Sequence, residues 1–130
     1  MKKILIAEDD RTIAAALEIR LKAAGYEVQV LADGFRSYIR AMTGQPDLIL
    51  MDICMPMGSG LAVAQELKHT GLADVPIIFM TASKKAAFWR MAQEVGAVGF
   101  FEKPFDTEKL LAAISRALQS KHPTDEEITK

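Results

Sequence analysis

The stretch "DLILMDICMP", residues 47–56, decides how the chain is read. Leu48 to Met51 is an unbroken apolar run, the mark of a strand buried on both faces, as in a parallel sheet covered by helices. The run ends abruptly in the carboxylate of Asp52. An unpaired carboxylate in such a place is costly, so a cation, a hydrogen-bond network or water at a cleft must accompany it.

Outward from this strand lie four similar runs, "KILIA", "EVQVL", "PIIFM" and "AVGFF". Between them apolar residues recur every three or four positions, the helical period. Ile13, Leu17, Leu21 and Ala24 share one face of a first helix, expected from about Arg11 to Ala24 and closed by Gly25. Phe35, Tyr38, Ile39 and Met42 mark the inner stripe of a second, ended by Gly44 and Pro46; Leu61, Ala64, Leu67 and Lys68 mark a third before Gly71. Phe88, Met91, Ala92 and Val95 give the inner stripe of a fourth, and Asp106 can cap a fifth carrying Leu110, Ile114, Ala117 and Leu118. Strands alternating with helices of this length predict an α/β fold: a parallel sheet with right-handed crossovers and helices on both faces. Ligands of such sheets bind at the C-terminal edge of the strands.

A chain of 130 residues, half of them apolar, suits one domain with one core. Residues 1–120 are read as that domain, and residues 121–130, with no apolar period, as a polar tail. The 16 Lys and Arg against 17 Asp and Glu give a formal charge of −1, and no basic block suited to nucleic acid or an anionic membrane appears. The single cysteine, Cys54, excludes an internal disulfide, and three acids interrupt the amino terminus before a signal-peptide core can form. No apolar run approaches the roughly 20 residues that cross a bilayer. The expected location is cytoplasmic.

The unusual polar residues fall at strand ends. The first strand runs into Glu8, Asp9 and Asp10, the third ends in Asp52, the fourth in Thr81, and the fifth leads to Lys103 and Pro104. If the first and third strands are neighbours, Asp9 and Asp52 approach closely. Two carboxylates about 4 Å apart repel by roughly 4 kcal/mol at an effective dielectric of 20. A cation is expected between them, and oxygen-only ligands on an open cleft suit Mg²⁺. Asp10 reads equally well as a cap of the first helix. His69 and His122 have no partner at ligand spacing and are expected in solvent.

The ordered motifs "ILIAEDD", "DLILMDICMPMGSG", "IIFMTAS" and "GFFEKPF" resemble the receiver domain of two-component response regulators, over almost the whole chain. The resemblance implies a flavodoxin-like (βα)5 fold with a five-stranded parallel sheet in the order 2-1-3-4-5. It also implies a phospho-acceptor that assists transfer to its own aspartate, not an enzyme acting on other substrates. Asp52 would take the phosphoryl group from a phosphohistidine on a sensor histidine kinase or phosphotransfer protein. Asp9 would ligate Mg²⁺ directly, Glu8 through water, with Asp52 and the main-chain carbonyl of Cys54 completing the protein's share. Lys103 would neutralise the phosphoryl oxygens, presented by a cis Lys-Pro bond, and Thr81 would donate a hydrogen bond to them.

The same resemblance makes Thr81 and Phe100 a switch that alters the surface of helix four, strand five and helix five. Phe100 stands where the family often has tyrosine. Trp89 lies one step off the inner stripe of its helix, beside Lys85 and Gln93, and is expected on the outside as an anchor for an output protein or a phosphorylation-dependent dimer. Its alternative is to cover the sheet edge. Ser59 stands where receivers often carry an acid, so mobility of the preceding loop can differ. Cys54 and Ser83, two residues beyond Asp52 and Thr81, offer no strong base for water, which predicts a slow autodephosphorylation. The rival reading is a phosphorylation-independent adaptor of the same fold. A nucleotide-binding enzyme is disfavoured because the first strand–helix turn is acidic and lacks a glycine-rich loop.

Overall fold

Leu48–Asp52 forms the middle strand, β3, of a five-stranded parallel sheet in a computed structural model that describes residues 1–119. The chain alternates without exception: β1 (Lys3–Ala7), α1 (Arg11–Ala23), β2 (Glu27–Leu31), α2 (Gly34–Gly44), β3, α3 (Gly60–Leu67), β4 (Ile77–Thr81), α4 (Ala86–Glu94), β5 (Gly99–Glu102) and α5 (Thr107–Gln119). The strands lie in the order β2-β1-β3-β4-β5. The expected polar tail, with His122, lies outside the described residues.

The twofold period of a strand divides the core into two layers. Leu5, Ala7, Ile49, Met51 and Phe79 face α2, α3 and α4, joined by Ala41, Leu61, Val63, Ala64, Leu67 and Ala92. Ile4, Ile6, Leu48, Leu50, Ile78 and Met80 face α1 and α5, where Leu17, Leu21, Leu110 and Ile114 meet them. All five residues of β3 are buried, so each layer gains from the central strand. Each large side chain buried in this way contributes roughly 1.5–3 kcal/mol.

Helix starts follow side-chain chemistry. The Asp10 carboxylate accepts from the N–H groups of Thr12 at 2.9 Å and Ile13 at 3.1 Å, so Asp10 caps α1. Asp33 accepts from Arg36 N–H at 2.7 Å, Ser59 from Ala62 N–H at 3.1 Å, and Asp106 from Glu108 N–H at 2.9 Å. At its other end α1 stops at Ala23, one residue before the expected boundary, where Gly25 takes φ +96°.

The inner face of α2 differs from the expected stripe. Phe35, Ile39 and Met42 are 59%, 44% and 42% exposed, and the buried residues are Gly34, Ser37 and Ala41. Tyr38 alone of the expected set packs against the core. Small residues let this helix sit close to its neighbours, which pushes its large side chains outward. Ser37 carries, among the described residues, the one buried side-chain oxygen without a hydrogen-bond partner. In α4 only Ala92 is buried; Met91, expected inside, is 39% exposed. Lys68 is exposed just beyond the end of α3.

Candidate functional site

Parallel pairing brings the strand ends to one edge. Ala7 of β1 pairs with Met51, Asp52 with Met80, and Thr81 with Glu102, so the residues that follow β1 and β5 converge on the end of β3. Glu8 and Asp52 are both buried, while Asp9 is exposed. One donor oxygen each from Glu8, Asp9 and Asp52 lies within 4.8 Å of the others.

Lys103 reaches into this cluster from the end of β5. Its Nζ lies 2.7 Å from Asp52 Oδ2 and 2.5 Å from Glu8 Oε1. The Cys54 N–H donates to Asp52 Oδ1 at 3.1 Å, and the Asp10 N–H donates to Glu8 Oε2 at 3.1 Å. Both oxygens of Asp52 are therefore engaged, which fixes the plane of its carboxylate. The Lys103–Pro104 peptide bond is cis.

Three carboxylates facing one ammonium leave the cluster short of positive charge. The Glu8 carboxyl is raised from 4.5 to about 7, chiefly by burial and also by Asp52, against the downward pull of the Lys103 ammonium and the Asp10 N–H. Burial also works against the Lys103 ammonium, but hydrogen bonds and charge from Asp52 and Glu8 outweigh it and hold its pKa above the ordinary 10.5. The all-oxygen donor set, with one exposed acid beside two buried ones, fits a hard divalent ion such as Mg²⁺.

Thr81 is fully buried, and its hydroxyl accepts from the Ser83 N–H at 3.0 Å. The Ser83 hydroxyl in turn accepts from the Lys85 N–H at 3.2 Å, directly before α4. Lys85 itself gives α4 no side-chain cap. Across the same junction Lys84 Nζ stands 3.6 Å from Glu102 Oε2. Phe100 is half-buried against the layer of α2, α3 and α4, whereas Phe101 belongs to the other layer and meets Phe105 edge-on at 6.2 Å.

Trp89 is half exposed on α4, on the outside as its position in the helix implies, and takes no part in the bonded cluster. Cys54 is exposed, and it is its main-chain N–H that bonds to Asp52. His69 is exposed. Asp10 turns its side chain to the start of α1 and gives the site only its N–H.

Two features escaped the sequence reading. Glu8 and Lys103 form a close ion pair across 95 positions of chain, and glycines at 34, 58 and 60 bring three backbone segments together. The first joins residues too far apart in the chain for a local pattern to show, and the second leaves only the glycines themselves.

Comparison with known proteins agrees with this geometry. Residues 4–115 match the family model of the response regulator receiver domain. The chain is 36% identical over 120 residues to the DNA-binding dual master transcriptional regulator RpaA of Synechocystis sp., covering 92% of this chain and 50% of that protein. It is 32% identical over 124 residues to the response regulator MprA of Mycobacterium avium, covering 95% of this chain and 54% of that one. The chain thus spans about half the length of these relatives. The chemotaxis response regulator CheY4 of Vibrio cholerae superposes with a TM-score of 0.83 at 30% identity, over 90% of this chain and 98% of that chain. A receiver domain protein from Methanospirillum hungatei shares the fold with a TM-score of 0.88 at 23% identity, over 95% and 98%. The chain belongs to the response regulator receiver domain family, whose standard function is signalling by phosphorylation.

Proposed function

We propose that Asp52 accepts a phosphoryl group from the phosphohistidine of a sensor kinase or phosphotransfer protein. The observation that supports this reading is the 2.7 Å contact of Lys103 Nζ with Asp52, in a cluster where Glu8 and Asp9 bring further donor oxygens within 4.8 Å. The bond from the donor imidazole to phosphorus breaks as one Asp52 oxygen bonds to phosphorus, and the imidazole leaves with its electron pair. Such a transfer asks a protein chiefly for alignment and charge neutralisation.

Asp52 is aligned by the Cys54 N–H and Lys103. Asp9, Asp52 and the Cys54 carbonyl would hold Mg²⁺, with Glu8 acting through water; when bound, the ion neutralises the oxygens of the transferring group. Lys103 supplies the second cation. Thr81 turns its hydroxyl from Ser83 toward the new phosphoryl oxygens, and Phe100 moves inward. The surface of α4, β5 and α5, with Trp89 as its apolar anchor, then changes shape for an output protein or a second copy. Cys54 and Ser83 offer water no strong base, so the phosphoryl group is lost slowly. The domain acts in the cytoplasm.

The donor docks beside Lys103, where an open apolar groove of about 800 Å³ is lined by Ile13, Leu17, Ile19, Pro104 and Phe105. Acetyl phosphate and Mg²⁺, followed by intact-mass analysis, test the central step. Wild type should gain one phosphoryl group and Asp52→Ala none. Absence of uptake by wild type from both acetyl phosphate and a sensor kinase would leave the adaptor reading in its place.

A further inference from the structure

The loop that follows Asp52 is gripped from two sides by glycines. On the strand side, a Cβ at Gly60 would stand 2.2 Å from the Asp52 carbonyl oxygen, and the Gly60 N–H donates to Ile53 O at 2.8 Å. On the helix side, the Gly34 N–H at the start of α2 donates to Pro56 O at 3.0 Å. A Cβ at Gly34 would stand 2.1 Å from the Gly58 carbonyl oxygen and 2.9 Å from that of Met57. Real Cβ atoms do not approach backbone oxygens so closely, so any side chain at position 34 forces helix and loop apart.

Neither partner can yield easily. Asp33 caps α2 through Arg36 N–H, and the helix settles on its neighbours through Ser37 and Ala41, both fully buried. The loop has its own constraints: Met57 takes φ +56° and Gly58 φ +117°, left-handed conformations that tolerate little adjustment in a residue with a side chain. Cys54, whose N–H fixes Asp52, lies within this gripped segment.

We propose that Gly34 is a positioning residue for the phosphorylation site. By carrying no side chain it lets α2 press on Gly58 and Pro56, and so sets the path of the loop that presents the Cys54 main chain to Asp52 and the metal ion. The inference rests on the Mg²⁺ site proposed above. It ties the metal affinity of one strand edge to a helix that contributes no ligand.

Titration calorimetry of Mg²⁺ with wild type and Gly34→Ala tests it. The variant should bind Mg²⁺ about tenfold more weakly, the usual scale for a residue that orients a ligand from behind. Its phosphorylation by acetyl phosphate should recover as Mg²⁺ is raised, which separates positioning from loss of the acceptor. Ile114→Val, which loosens the opposite layer, should lower the melting temperature and leave Mg²⁺ affinity unchanged. In wild type, Mg²⁺ should slow amide exchange at Gly34 and leave Ala41 unaffected, a readout that survives even if Gly34→Ala fails to fold. Equal Mg²⁺ affinity in a folded Gly34→Ala, or a Gly34 amide indifferent to Mg²⁺ in a wild type that binds it, overturns the role of Gly34 alone. A wild type that neither binds Mg²⁺ nor takes up phosphate overturns this inference and the site reading together.

Discussion

Lys103 holds Asp52 and Glu8 at once, its Nζ 2.7 Å from one carboxylate and 2.5 Å from the other. Two acids from the ends of β3 and β1 are thus joined by one cation from the end of β5, and the pocket in which they meet is nearly closed to solvent.

Lys103→Met removes that cation and leaves two facing carboxylates. Stripping one partner from a buried ion pair costs about 3 kcal/mol. Urea unfolding of the metal-free variant should show a loss of that order, part of it restored by Mg²⁺. Phosphoryl uptake from acetyl phosphate should fall sharply, and uptake equal to wild type would remove Lys103 from the site.

Glu8 makes the stability of the metal-free protein depend on pH. Its folded-state pKa of about 7 lies above the ordinary 4.5, so between these values the folded protein keeps a proton that the unfolded chain has released. The resulting stabilisation is fully present below the unfolded value and is lost as pH rises through the folded one. The urea midpoint should therefore fall from about pH 5 to about pH 7.5, and Glu8→Gln should flatten that slope. Added Mg²⁺ opposes the effect because a cation favours the ionised carboxylate.

Ser37→Ala should stabilise the fold. The Ser37 hydroxyl is buried without a partner, and removing an unsatisfied polar group recovers its desolvation cost, about 1 kcal/mol. Thermal denaturation should show a higher midpoint. A lower one would mean that the hydroxyl is satisfied in solution.

Ile19→Asp places a charge in the groove beside Pro104 and Phe105, where Ile19 is 68% exposed. Transfer from a cognate kinase should slow at least tenfold, the effect of losing a docking contact worth about 1.4 kcal/mol. Uptake from acetyl phosphate, which needs no docking, should be unchanged. Equal slowing with both donors would place Ile19 in the chemistry rather than the docking.

The sequence made the strands legible because each is an apolar run bounded by turn residues, and the site legible because acids, hydroxyl and lysine all fall at strand ends. Helix faces were less legible. In α2 the large apolar residues Phe35, Ile39 and Met42 satisfy the helical period, yet the buried residues are Gly34, Ser37 and Ala41. Periodicity weighs hydrophobicity, whereas close approach of backbones selects for small size, and the two criteria pick different faces. Met91 misled for a related reason: α4 buries only Ala92, so its apolar stripe exceeds the area it covers. The Glu8–Lys103 pair needs residues 95 positions apart to meet, which no local pattern encodes.

The two hydroxyls of Thr81 and Ser83 give α4 an origin unlike that of the other helices. Asp10, Asp33, Ser59 and Asp106 anchor their helices with side chains that do nothing else at the strand edge, whereas α4 begins at the end of a relay from Thr81 to Ser83 to Lys85. A turn of the Thr81 side chain away from Ser83 would free the Ser83 N–H and so reach Lys85, the residue that opens α4 four positions further on. Chemical news at the pocket would then have a route toward the exterior only two hydrogen bonds long.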